Sequence, residues 1–211
     1  QGHRGRKDDA QARTEVIRSV AIGAFLGLAL AAVAAEPPSP ERLAAELRTG
    51  GYVLYFRHTS TDFSQNDSNM TGFEDCATQR NLTEKGREEA RRIGEHVRRL
   101  AVPVSEVLAS PFCRTVETAM IAFGKATRTQ DVRGGPASPD DPKRHEPLRQ
   151  LLSKPVRKGA IRVIASHGNP FHAVTGLPYL AEGEAAMVRP RGNGRFEVFA
   201  RIRPEDWAAL R

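Results

Sequence analysis

Three short apolar runs constrain this chain more than anything else in it. They span 52–56, 104–109 and 160–165, and each stops abruptly in polar chemistry: Arg57-His58, Ser110-Pro111 and Ser166-His167-Gly168. Runs of this length, rich in β-branched and aromatic residues, read as buried strands. Between the first two lies a helical pattern over 81–100, with Ala90, Ile93, Val97 and Leu100 on one face. After the second, Val116, Ala119, Met120 and Phe123 repeat it up to Gly124. Strands alternating with helices imply a mostly parallel sheet covered on both sides, a three-layer α/β/α architecture. In such a sheet all carboxyl ends point one way, and ligands bind there.

The remaining elements follow from punctuation. Ser39 or Pro40 opens a first helix that Gly50-Gly51 stops. A long polar loop covers 59–81, and Thr83 caps the helix after it. Glu88, Glu89, Arg91, Arg92, Arg98 and Arg99 read as that helix's solvated face. Ser110-Pro111 has the form of an N-cap and first-turn pair, which puts Arg114 in a first turn where backbone N–H groups and the dipole favour an anion. Residues 127–147 read as an irregular excursion, and Leu148, Leu151 and Leu152 as a short helix closed by Pro155. Pro170 opens a helix to about Thr175, 184–189 and 196–202 form a hairpin about Arg191-Gly192-Asn193-Gly194, and a closing helix is expected over 204–210.

Composition sets outer bounds. With 211 residues, 39% hydrophobic and 27% charged, the chain can bury a full core. Its +7 charge is carried by scattered arginines, with no basic stripe or module of the kind that binds nucleic acid, so attraction of anionic substrates is the better inference. Arg4, Arg6, Lys7, Arg13 and Arg18 precede an uncharged apolar run over 20–35 that ends in small residues. That is the pattern of a secretory signal and is short for a membrane span. The expected organisation is therefore a signal peptide over 1–35, a linker over 36–40 and one domain over 41–211, in a periplasmic or secreted protein. Membrane contact would come only through the signal segment if it stays uncleaved. Cys76 and Cys113 lack metal-ligand spacing.

Taken together, the strand ends gather Arg57, His58, Arg114 and His167 at one edge. Two guanidinium and two imidazole groups without a fixed acid are a trap for an anion, and phosphate is the obvious guest.

Those same residues carry a resemblance. Arg57-His58-Thr59, the run from Ser110 through Arg114 to Ala119, and Ser166-His167-Gly168-Asn169 resemble the histidine phosphatase superfamily, which includes phosphoglycerate mutase-like enzymes and bacterial phosphohistidine phosphatases. The stretch from Cys76 through Gln79-Arg80-Asn81-Leu82 to Arg87 is similar to exported bacterial members. Thr59 departs from the glycine many members carry. The resemblance implies a phosphoglycerate mutase-like fold and a phosphomonoesterase in which His58 attacks phosphorus, forming a phosphohistidine that water then hydrolyses. Arg57, Arg114 and His167 would bind the equatorial oxygens, with neither metal nor cofactor. The leaving oxygen requires a proton, for which Glu184 is the first candidate, Glu146 the second and Asp62, which would also contact substrate, the third; each also reads as an ordinary surface or capping carboxylate. In an exported member the cysteines would form a Cys76–Cys113 disulfide. The competing readings are a catalytically silent member that binds a phosphorylated ligand, a phosphohistidine protein phosphatase, and a mutase, which export disfavours. The expected substrate is a phosphorylated small molecule or envelope phosphosugar.

Overall fold

The computed structural model describes residues 37–135, 141 and 143–211. The expected signal segment and Glu36 lie outside the described residues. Helix α1 (Pro40–Thr49) begins where Ser39 accepts a hydrogen bond from the Arg42 N–H, and ends at Gly50. Strand β1 (Tyr52–Arg57) follows, then the long loop and α2 (Glu84–Arg99), capped by the Thr83 side chain on the Gly86 N–H. Next come β2 (Val104–Ala109), α3 (Cys113–Phe123), a two-residue β3 (Thr127–Arg128) and α4 (Glu146–Ser153). Strand β4 (Ile161–Ser166), α5 (Gly168–Thr175) and the hairpin β5 (Ala185–Gly192) and β6 (Arg195–Ile202) complete the order.

The sheet runs β3-β2-β4-β1-β5-β6. Its first four strands are parallel and the hairpin joins antiparallel through β5 on β1. The two faces are sorted by the period-two alternation of the strands. Leu54 and Phe56 of β1, Val163 and Ala165 of β4 and Met187 of β5 pack against α1, α2 and α3. Val53, Tyr55, Ile164, Ala186 and Val188 turn the other way, toward Leu148 and Leu152 of α4 and Phe171 of α5. Helices therefore cover both faces, as three layers require. Trp207 closes the first core, fully buried and stacked on Phe56 at 6.0 Å. Full burial of a side chain of this kind stabilises by roughly 2–3 kcal/mol.

Two boundaries depart from expectation for physical reasons. The closing helix is a short 3₁₀ turn, Asp206–Ala209, fixed by Trp207 entering the core. Helix α3 starts at Cys113, and Ser110 does not cap it. Instead the Cys113 N–H donates to Oε1 of the buried Gln79 at 2.9 Å, so a side chain from the long loop serves the helix start.

The candidate active site

Strands β2, β4 and β1 are neighbours, and their carboxyl ends lie in register: Arg57 pairs with Ser166, and Ala109 with Ala165. The chain continues that register past the strand ends. The His58 N–H donates to the Ser166 carbonyl at 3.0 Å, and the Ser110 N–H to the Ala165 carbonyl at 2.9 Å. His58 and His167 consequently face each other, ring centroids 5.4 Å apart with planes at 70°. The antiparallel β5 brings a fourth segment to the same edge: the Arg57 N–H donates to the Glu184 carbonyl, and the Gly183 N–H to the His58 carbonyl.

His58 is buried, and its Nδ1 lies 2.9 Å from the Thr59 carbonyl oxygen. A carbonyl only accepts, so Nδ1 carries the proton and Nε2 holds the lone pair. Burial pulls the His58 pKa down to about 3, and the charges of Arg114, Arg57 and Arg80 push the same way against the Thr59 bond. His167 is likewise held well below its ordinary value, by burial first and then by His58 and the three guanidinium groups. Both imidazoles are neutral at neutral pH. His167 Nε2 is 2.8 Å from the Ser110 hydroxyl, its own carbonyl accepts from Tyr55, and Phe112 meets its ring edge-on. Gly134 lies against the same ring, where a Cβ would come within 2.7 Å of it.

Arg57 donates to the Leu180 carbonyl at 2.9 Å and reaches Glu182 at 3.4 Å. Arg114 projects over the Phe112 ring at 4.4 Å and grips Asp67 through both terminal nitrogens, each at 3.0 Å. Arg80 is the group sequence reasoning missed. Its charge bears on both histidines and on Arg57 and Arg114, and its Nε is buried without a partner among the described residues. No pattern rule singled it out from the Gln79-Arg80-Asn81 stretch, because its position depends on how the loop folds back.

The structure places each expected proton donor in other contacts. Glu184 is buried in a bidentate pair with Arg201 at 2.6 and 2.8 Å and also accepts from the Ala181 N–H; these contacts hold its carboxyl below its ordinary range although burial opposes them. An ionised, fully engaged carboxylate is a poor acid. Asp62 turns onto Ser64, accepting from its N–H and hydroxyl, and those bonds lower its pKa. Glu146, the first residue of α4, accepts from the Gln150 side chain one turn on. The carboxylate that stands beside His58 is Glu182. It accepts from the Thr61 N–H and hydroxyl at 3.1 and 2.7 Å and lies 3.9 Å from His58 Nδ1. It lies on the Nδ1 side of the His58 ring and holds Arg57 and Thr61 beside it.

Two further contacts fix the loop. Cys76 and Cys113 form a disulfide, Cα atoms 5.7 Å apart. Glu89, expected on the solvated face of α2, receives the Ser60 N–H and hydroxyl at 3.0 and 2.9 Å. Gly86 permits this approach, since a Cβ there would lie 2.1 Å from the Ser60 carbonyl oxygen. Among the described residues, no three His, Cys, Asp or Glu side chains are grouped so as to hold a metal ion.

Residues 53–133 match the family model of the histidine phosphatase superfamily, branch 1. No curated protein matches the chain in sequence. Solved structures with a similar fold include the protein histidine phosphatase SixA in complex with tungstate, 18% identical, covering 74% of this chain and 98% of that one with a TM-score of 0.50. A second, a protein from Thermus thermophilus, is also 18% identical, with 72% and 99% covered and a TM-score of 0.50. A candidate alpha-ribazole-5'-P phosphatase from Escherichia coli K-12 is 13% identical, with 71% and 95% covered and a TM-score of 0.52. At these identities the likeness is one of fold.

Proposed function

We propose that this chain, a histidine phosphatase superfamily protein, is an exported phosphomonoesterase that works through a phosphohistidine on His58. The observation that carries the reading is the state of His58. It is a neutral imidazole with Nδ1–H locked on a carbonyl and Nε2 unpartnered among the described residues, in a hollow with three guanidinium groups and a second imidazole. Such a nitrogen can attack phosphorus in line while the guanidinium forks stabilise the equatorial oxygens. The proton stays on Nδ1, donated to the Thr59 carbonyl, while Nε2 bonds to phosphorus and the ester P–O bond breaks; the leaving oxygen takes its proton from water. Water then attacks phosphorus, the P–Nε2 bond breaks, and the water oxygen leaves in inorganic phosphate with its displaced proton passing to solvent, which restores the neutral imidazole. Glu182, through Arg57 and Thr61, keeps one fork and the following loop in register with the nucleophile.

Export is supported by the basic-then-apolar pattern before residue 36 and by the disulfide, a bond of oxidising compartments. A phosphorylated small molecule or envelope phosphosugar is the substrate class we favour.

The test is hydrolysis of an aryl phosphate by the full chain and by His58→Ala, with mass spectrometry of the enzyme quenched at alkaline pH during turnover. Activity lost in the variant, and a phosphoryl group on His58 in the wild type, are expected. A wild type that binds phosphate yet releases none from any ester would be a silent binder. Recovery of uncleaved protein from the cytoplasm alone would sink the export reading.

A further inference from the structure

We propose that Asp67 is an internal competitor for phosphate: its carboxylate occupies the Arg114 fork, substrate must displace it, and it thereby sets the anion affinity of the site. The proposal rests on the phosphate reading of the hollow given above.

The geometry is that of an anion already bound. Both terminal nitrogens of Arg114 donate to Asp67, one to each carboxylate oxygen, at 3.0 Å. This is the parallel two-bond arrangement that a guanidinium offers equally to two oxygens of a phosphoryl group. Oδ1 also accepts the Arg80 N–H at 2.9 Å, so one oxygen collects two donors, as a phosphate oxygen would. The Arg114 side chain is only 6% exposed and that of Asp67 is 32% exposed. The carboxylate is thus the more solvent-exposed partner of a buried guanidinium. Phe112 covers the guanidinium face, and Nη1 also donates to the Arg80 carbonyl at 3.2 Å. The fork cannot serve Asp67 and a phosphoryl group together.

The segment carrying Asp67 is built so that this residue can move without unpinning its ends. At one end the Asp62 N–H donates to the Asn81 carbonyl, and Gln65 accepts from the Asn81 N–H. At the other stand the Cys76–Cys113 disulfide and the Gln79 contact to Cys113. Between them, Asn66, Ser68 and Asn69 are exposed. The cost of displacing Asp67 is charged against every phosphate that enters, substrate and product alike, so the residue weakens product inhibition together with substrate affinity.

A carboxylate that merely props Arg114 in place makes the opposite prediction, which makes the test two-sided. Inorganic phosphate is titrated calorimetrically into the full chain, Asp67→Asn and Asp67→Ala, with Arg114→Ala as the control for the fork. Competition predicts phosphate binding about tenfold tighter in both Asp67 variants, the equivalent of about 1.4 kcal/mol, and loss of that gain when Arg114→Ala is combined with either. The Ala variant covers the case in which the Asn carboxamide keeps one bond to Arg114. Unchanged or weaker binding in both variants, with wild-type binding intact, would overturn the competitor and leave a prop. If neither the wild type nor the variants bind phosphate, the phosphate reading of the hollow fails along with it.

Discussion

Replacing His58 by Asn should make the protein less sensitive to mild acid. The Asn side chain can still donate to the Thr59 carbonyl, but it does not titrate. In the wild type, His58 has a folded pKa of about 3 against an unfolded value of about 6.5. Below pH 6.5 the unfolded chain takes up a proton that the folded one refuses, so stability falls as pH falls. The contribution is complete above pH 6.5 and is lost progressively down to about pH 3. Between pH 7.5 and 5 this one group removes about 2 kcal/mol, from the two pKa values and 1.36 kcal/mol per unit. His167, depressed by the same burial and charges, adds a second loss of the same sign in both proteins. Urea unfolding at pH 7.5 and pH 5, in buffers free of phosphate, gives the two differences directly. The wild type should lose about 2 kcal/mol more than the variant over that interval. Parallel losses would refute the claim that His58 is held neutral by its surroundings.

Three other outcomes are expected. Glu184→Ala should lower unfolding free energy by about 2 kcal/mol, discounted because Arg201 is partly exposed, yet reduce kcat/KM of aryl phosphate hydrolysis less than tenfold; a larger kinetic loss would restore Glu184 as proton donor. Gly134→Ala should push a methyl group into the His167 ring and cut kcat/KM by on the order of 100-fold, with urea stability showing whether the fold survives. Replacing Cys76 and Cys113 by Ser opens a sequence separation of 37 residues, which should cost about 4 kcal/mol in chain entropy, read as a lower urea midpoint.

What could be read from the sequence divides along the range of the interactions. The strands were legible because an apolar run that ends in a charge marks both a burial limit and a sheet edge; the register of Arg57 with Ser166 then places two histidines together. Ser110 shows where local rules lose. Its sequence context is that of a helix cap, but its hydroxyl is turned to His167, and Gln79 takes up the helix start. The exchange of Glu184 for Glu182 at the site depends on a turn whose Gly183 has φ of 76°, a detail no spacing rule encodes. Asp67 and Arg114 are 47 residues apart, and only the fold of the long loop joins them. Glu89 looked like one acid among many on α2; the missing Cβ of Gly86 lets the loop descend onto it.

The antiparallel course of β5 has a practical corollary. It leaves Ala185 beside Phe56, close to His58, and carries the chain away, so the tip at Gly192, Asn193 and Gly194 emerges at the amino ends of the parallel strands. The Gly194 N–H tethers that tip to the Ser153 hydroxyl. A fluorophore or an immobilisation handle spliced in there would report on or anchor the molecule from its far pole, with turnover left as it is in the unlabelled protein.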